Sequence, residues 1–125
     1  MGKRYLIDTN VIIDFSVNRI PKAGSALLSK CFDEDPRISI VTKIELLGFP
    51  FVTPVVTDLV KASTVIGLTD EIVAETILIR KQHKIKLPDA IIAATFLVSG
   101  LVLLSRNSSD FKKIKGLDYL DLFQL

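Results

Sequence analysis

Leu87-Pro88-Asp89-Ala90-Ile91-Ile92-Ala93-Ala94-Thr95-Phe96-Leu97-Val98-Ser99-Gly100-Leu101-Val102-Leu103-Leu104-Ser105 is the stretch that decides the fold. Its uncharged part, Ala90 to Ser105, is sixteen residues long, whereas a membrane-crossing helix needs about 20 apolar residues. Ser99-Gly100 interrupts it, as glycine does where it turns a chain out of a helix. Pro88 fits a first helical turn, where the N–H that proline lacks has no intrahelical partner. The stretch predicts a buried helix, a glycine stop and a buried strand over Leu101 to Leu104.

The same alternation recurs on both sides of this stretch. Arg4 to Ile7 predicts a short strand ending at Asp8-Thr9-Asn10, and Val11 to Val17 a helix. Pro21 to Phe32 reads as an amphipathic helix closed by a turn at Asp33-Glu34-Asp35-Pro36. Arg37 to Val41 reads as a buried strand rich in β-branched residues, and Thr42 begins a helix that stops near Gly48 to Pro50. Thr53-Pro54 is an N-cap followed by a first-turn proline, opening a helix to about Ala62. Thr64 to Gly67 is a short strand. Thr69-Asp70-Glu71 starts a helix with acids in its positive first turn and Arg80, Lys81 and Lys84 at its negative end. Ser108 to Ile114 is a short helix and Leu117 to Leu122 the last strand. Strands alternating with helices predict an α/β fold with a parallel sheet covered on both faces. In such sheets ligands bind beyond the carboxyl ends of the strands.

The chain has 125 residues, 49% of them hydrophobic, which suits a single domain over 1–125 and excludes a disordered tail. Sixteen Lys and Arg against fourteen Asp and Glu give a formal charge of +2, so this is no histone-like polycation. One cysteine, Cys31, makes no internal disulfide and points to a reducing compartment. Neither a signal-peptide core nor a membrane span is visible, so the expectation is a soluble cytoplasmic protein.

Four acids follow an apolar strand or open a helix: Asp8 after Tyr5-Leu6-Ile7, Glu45 one turn beyond Ile38 to Val41, Asp89 beside Pro88, and Asp110 after Leu101 to Leu104. In a parallel sheet all four project from one edge. Carboxylates that converge ionise together only if a cation compensates, and all-oxygen donors without Cys or paired His point to Mg²⁺ or Mn²⁺. Local readings stand beside this one. Glu45 completes a Thr42-x-x-Glu45 capping box, Asp89 suits a helix N-terminus, and Asp110 can cap a short helix. Asp8 alone has no evident structural need. Asp14 reads as a surface residue. Phe49, Phe51, Val52, Val55 and Val56 read first as core of a short helix and second as a partner surface. Two basic runs flank the acids in sequence, and Arg80, Lys81, Lys84, Lys86, Arg106 and Lys112 are candidates to hold a nucleic-acid backbone.

Leu6-Ile7-Asp8-Thr9-Asn10, Thr42-Lys43-Ile44-Glu45-Leu46, Leu87 to Ala94, and Ser105-Arg106-Asn107-Ser108-Ser109-Asp110-Phe111 resemble the successive acidic motifs of PIN-domain ribonucleases. Over nearly the whole length the chain is similar to the VapC-type toxins of toxin–antitoxin modules. The resemblance implies a three-layer α/β/α sandwich. It implies that Asp8, Glu45, Asp89 and Asp110 bind metal, and that Thr9 and Asn107 assist by hydrogen bonding. It also implies Mg²⁺-dependent cleavage of RNA, with Mn²⁺ able to substitute, a cognate antitoxin and a homodimer. Ser105 stands where the family often has Thr, which keeps the hydroxyl. Three other readings remain open: a PIN-type nuclease for RNA processing or DNA, a catalytically silent PIN-like interaction module, and a phosphoacceptor receiver domain. The last lacks the lysine and the paired aspartates it needs.

Overall fold

The computed structural model describes residues 4–106 and 111–125. Among them the chain alternates as β1 (Tyr5–Ile7), α1 (Thr9–Ser16), α2 (Lys22–Glu34), β2 (Arg37–Ser39), α3 (Ile40–Leu47), α4 (Pro54–Ala62), β3 (Thr64–Ile66), α5 (Asp70–Gln82), α6 (Leu87–Ser99), β4 (Val102–Ser105) and β5 (Tyr119–Asp121). The strands form one sheet in the order β3-β2-β1-β4-β5, every pair parallel. Strand order reverses between β1 and β4, where Tyr5 pairs with Val102 and Ile7 with Leu104. A crevice at the carboxyl ends of such a pair is the usual ligand site of an open α/β sheet.

Side chains alternate across a strand, so neighbouring residues feed separate cores. Leu6 and Leu103 join Ile72, Ile79, Ala93 and Phe96 beneath α5 and α6. Ile7 and Leu104 join Val11, Ile12, Leu28 and Val60 on the other face. Both faces are covered, which makes a three-layer α/β/α sandwich. Each fully buried Leu or Ile contributes about 1.5–3 kcal/mol, and strands this short need both cores. Geometry requires glycine at Gly100 and at Gly24. Gly100 closes α6 at φ +66°, the left-handed conformation that glycine adopts without a Cβ clash. Gly24 of α2 lies so close to the Leu122 carbonyl that a Cβ there would collide with it.

Several boundaries differ from expectation, each for a local reason. The second strand stops at Ser39, and Ile40 and Val41 already belong to α3. Ser39 is the N-cap, its Oγ accepting the Thr42 N–H at 3.1 Å, so the Thr42-x-x-Glu45 capping box does not form. Asp33 and Glu34 extend α2 instead of forming a turn. Asp8, expected to have no structural duty, is the N-cap of α1. Of the predicted helix at Ser108 to Ile114, the first three residues lie outside the described residues. The remainder is a turn closed by the Ile114 N–H on the Phe111 carbonyl at 3.1 Å. Among the described residues no helix is long and apolar enough to cross a membrane.

Candidate active site

The site is built where β1 and β4 part. Asp8 follows β1 directly, and its N–H donates to the Leu104 carbonyl of β4 at 3.1 Å. Its carboxylate is buried. The Thr9 N–H donates to Oδ1 at 2.8 Å, and the Ser105 hydroxyl, at the end of β4, donates to Oδ2 at 3.3 Å. Asp8 is thus an N-cap held at both oxygens, with a fixed orientation toward the sheet edge.

Glu45 reaches the same edge from the second turn of α3. The Thr9 hydroxyl donates to its Oε1 at 2.7 Å. The Thr42 hydroxyl stands 3.1 Å from that of Thr9. A threonine hydroxyl has one proton, and Thr9 spends it on Glu45, so Thr42 is the donor in this second contact. Asp89 sits in the first turn of α6. Because α6 runs antiparallel to the β4 that follows it, its N-terminus lies at the carboxyl edge of the sheet.

The electrostatics follow from this placement. The Asp8 carboxyl is raised from 3.8 to about 6. Burial is the largest cause, and the negative charges of Asp89 and Glu45 add to it, against the hydrogen bonds from Thr9 and Ser105. A buried carboxylate pushed up by like charges is the environment that a bound cation relieves. The donors are all oxygen, which suits a hard divalent cation. Among the described residues no three acid, His or Cys side chains stand close enough together to hold an ion. Asp110, the fourth expected acid, and Asn107 lie outside the described residues.

The expected cations divide into two groups. Arg80, Lys81, Lys84, Lys86 and Lys112 are exposed, and the first four occupy the end of α5 and the segment leading into Asp89. Arg106 is engaged: its Nη1 lies 3.2 Å from Asp14 Oδ2, and its guanidinium stacks 4.6 Å from the Phe123 ring centroid. Asp14, expected at the surface, is buried at 5% exposure, because the second turn of α1 packs under the end of β4. No sequence pattern marks Ser39, Asp14 or Phe123 for the site, and Thr42 is marked only through the capping box. A serine three residues before Thr42, able to accept its N–H as an N-cap, is the local signal for Ser39.

Between α1, α3 and α4, Ile13, Val17, Leu46, Phe49, Phe51 and Val56 line an apolar groove of about 220 Å³. Core packing holds for Val56, but Phe49 and Val55 are about half exposed and Phe51 is 92% exposed. The turn at Pro50 lifts these rings out of the core.

A buried carboxylate at a β1/β4 switch point, on which the charges of Asp89 and Glu45 act, is the candidate site of this α/β domain. The chain belongs to the PIN domain family, a family of nucleases that generally use divalent metal, whose model matches residues 5–117. Solved structures share the fold over almost the whole length. A chain in a toxin–antitoxin complex from Klebsiella pneumoniae is 26% identical, covering 97% of this chain and 99% of that one, with a TM-score of 0.74. One in VapBC-1 from nontypeable Haemophilus influenzae is 25% identical over 94% and 97%, with a TM-score of 0.73. One in FitAcB from Neisseria gonorrhoeae is 21% identical over 97% and 99%, with a TM-score of 0.76, and shows the fold. No curated protein sequence matches the chain.

Proposed function

We propose that the chain acts as one domain over residues 1–125 and is a Mg²⁺-dependent endoribonuclease, the toxin of a toxin–antitoxin pair working in the cytoplasm. The observation that carries this reading is Asp8: a carboxylate buried at the switch point, raised to about 6, and flanked by the charges of Asp89 and Glu45. Asp8, Glu45, Asp89 and Asp110 would hold the metal, and Mn²⁺ would substitute for it. When bound, the metal supplies Lewis-acid stabilisation of the scissile phosphate and lowers the pKa of water.

The chain's own residues do the rest. Thr9 N–H and Ser105 fix both oxygens of Asp8, and the Thr42–Thr9 hydroxyl pair orients Glu45. Asn107 assists by hydrogen bonding. Exposed Arg80, Lys81, Lys84, Lys86 and Lys112 attract the phosphates of single-stranded or looped RNA. The antitoxin covers the apolar groove at Phe49 and Phe51 and brings a basic residue to the acids. The similarity to a chain of a toxin–antitoxin complex from Klebsiella pneumoniae supports that partner. A second copy of the chain completes a homodimer, which light scattering after gel filtration tests directly.

The deciding experiment sequences the cut ends of cellular RNA after expression of wild-type and Asp8→Asn proteins. Cuts present in the wild type and absent in the variant are expected, and identical maps overturn the nuclease reading. Labelled branched DNA in the purified assay separates RNA from DNA as substrate.

A further inference from the structure

We propose that Asp14, Arg106 and Phe123 form a clamp that positions the end of β4 against α1, so that Arg106 serves the geometry of Asp8 and not the RNA backbone. The inference rests on the nuclease reading above, and deepens it.

The geometry is a two-point attachment. Ser105 and Arg106 are consecutive at the end of β4, and Asp8 and Asp14 lie at opposite ends of the short helix α1. Ser105 Oγ meets Asp8 Oδ2 at 3.3 Å, and Arg106 Nη1 meets Asp14 Oδ2 at 3.2 Å. One contact fixes a distance, whereas two contacts along a rigid helix also fix rotation. The C-terminal turn supplies the third side. The Leu122 N–H donates to the Ser105 carbonyl at 3.4 Å. The Phe123 N–H donates to Asp121 Oδ1 at 2.9 Å, which holds the ring where Arg106 stacks on it at 4.6 Å.

Chemistry selects arginine for this place. Its planar fork can meet a carboxylate at its edge while its face lies on an aromatic ring, which a lysine ammonium cannot do. The same contacts argue against a phosphate role. Asp14 has a side chain only 7% exposed, and Arg106 is the one side chain among the described residues that pairs with it. Turning Arg106 toward a phosphate strands that buried carboxylate, and a buried charge without a partner is expensive.

The test is steady-state cleavage of an RNA oligonucleotide by wild-type, Arg106→Lys, Asp14→Asn and Phe123→Leu proteins. RNA binding against salt is measured in the Asp8→Asn background with and without Arg106→Ala. Misplacement of a catalytic group lowers turnover, so the clamp predicts that Arg106→Lys and Asp14→Asn each lower kcat about tenfold with KM within about twofold. It predicts that Phe123→Leu lowers kcat about threefold and that Arg106→Lys with Asp14→Asn is no worse than either alone. The salt slope of binding stays unchanged. A raised KM at unchanged kcat in Arg106→Lys, or a slope about one unit shallower on Arg106→Ala, makes Arg106 a phosphate contact and overturns the proposal. Wild-type kcat in Phe123→Leu also overturns it. If the wild-type protein cleaves no RNA, the nuclease reading fails and the clamp is judged by amide exchange. Faster exchange at both Asp8 and Leu122 in Arg106→Lys supports it, and unchanged exchange rejects it.

Discussion

Helix α1 carries a buried aspartate at each end, and the two differ in what faces them. Asp14, in the second turn, meets the guanidinium of Arg106 at 3.2 Å. Asp8, at the N-cap, meets two hydrogen-bond donors and the like charges of Asp89 and Glu45. Both carboxylates are removed from water, but only one has an ion-pair partner of opposite sign among the described residues. A buried acid with its counter-charge is part of the scaffold. One held in place by neutral donors beside other acids is, on the proposed function, where a cation from outside would bind. Burial alone does not distinguish the two, and the sign of the neighbours does.

The largest break in this comparison is Asp8→Asn. It keeps the shape and removes the charge, and cleavage of RNA is expected to fall by roughly 10³-fold or more while the protein stays folded. Single-turnover cleavage with Mg²⁺ checks this. Next comes pH. The Asp8 carboxyl is raised from 3.8 to about 6 on folding, so the folded protein holds a proton more tightly than the unfolded chain. The associated stability is fully present below about pH 3.8 and is lost as pH rises through about 6. Two units correspond to about 3 kcal/mol. Metal-free wild-type protein is therefore expected to lose denaturant stability between these pH values, and Asp8→Asn to flatten the curve. At pH 7, Mg²⁺ is expected to raise Tm in the wild type and much less in Asp8→Asn, which thermal scans detect.

Removing the partner of the other aspartate should cost less. Arg106→Ala leaves Asp14 buried without its partner, and Arg106 is itself half exposed, so a loss of about 1–2 kcal/mol is expected in urea unfolding. The smallest effect belongs to the apolar groove. Phe51 is 92% exposed, so Phe51→Ser should change stability by less than about 0.5 kcal/mol. Binding to the antitoxin should weaken at the same time, as calorimetry with the purified pair would show.

The sheet and its covering helices were legible because strand and helix periods alternate cleanly from Arg4 to Ser105. Glycine and proline mark several of the joints. Asp8, Glu45 and Asp89 were legible as one group once a parallel sheet was assumed, since each sits at a strand end or helix start. Asp14 was not. Its partner lies 92 residues away in sequence, and no local pattern links an acid in a short helix to a base after a distant strand. Ser39 is hidden in the sequence because Ile38, Ile40 and Val41 around it favour a strand, while its hydroxyl cap ends the strand earlier. Their apolar character assigns Phe49 and Phe51 to the core, yet the turn at Pro50 decides their exposure.

The joints that carry the acids have a consequence for engineering. Ser39 is at once the last residue of β2 and the cap of α3, and only Asp8 stands between β1 and α1. A single residue inserted at either joint turns the following helix by about 100° and carries Glu45 or Thr9 away from its partner. The β3–α5 connection, where open space surrounds Gly67, offers room for an inserted epitope or fluorophore. Reporter insertions scanned along the chain should therefore be accepted at that connection and rejected at the two joints.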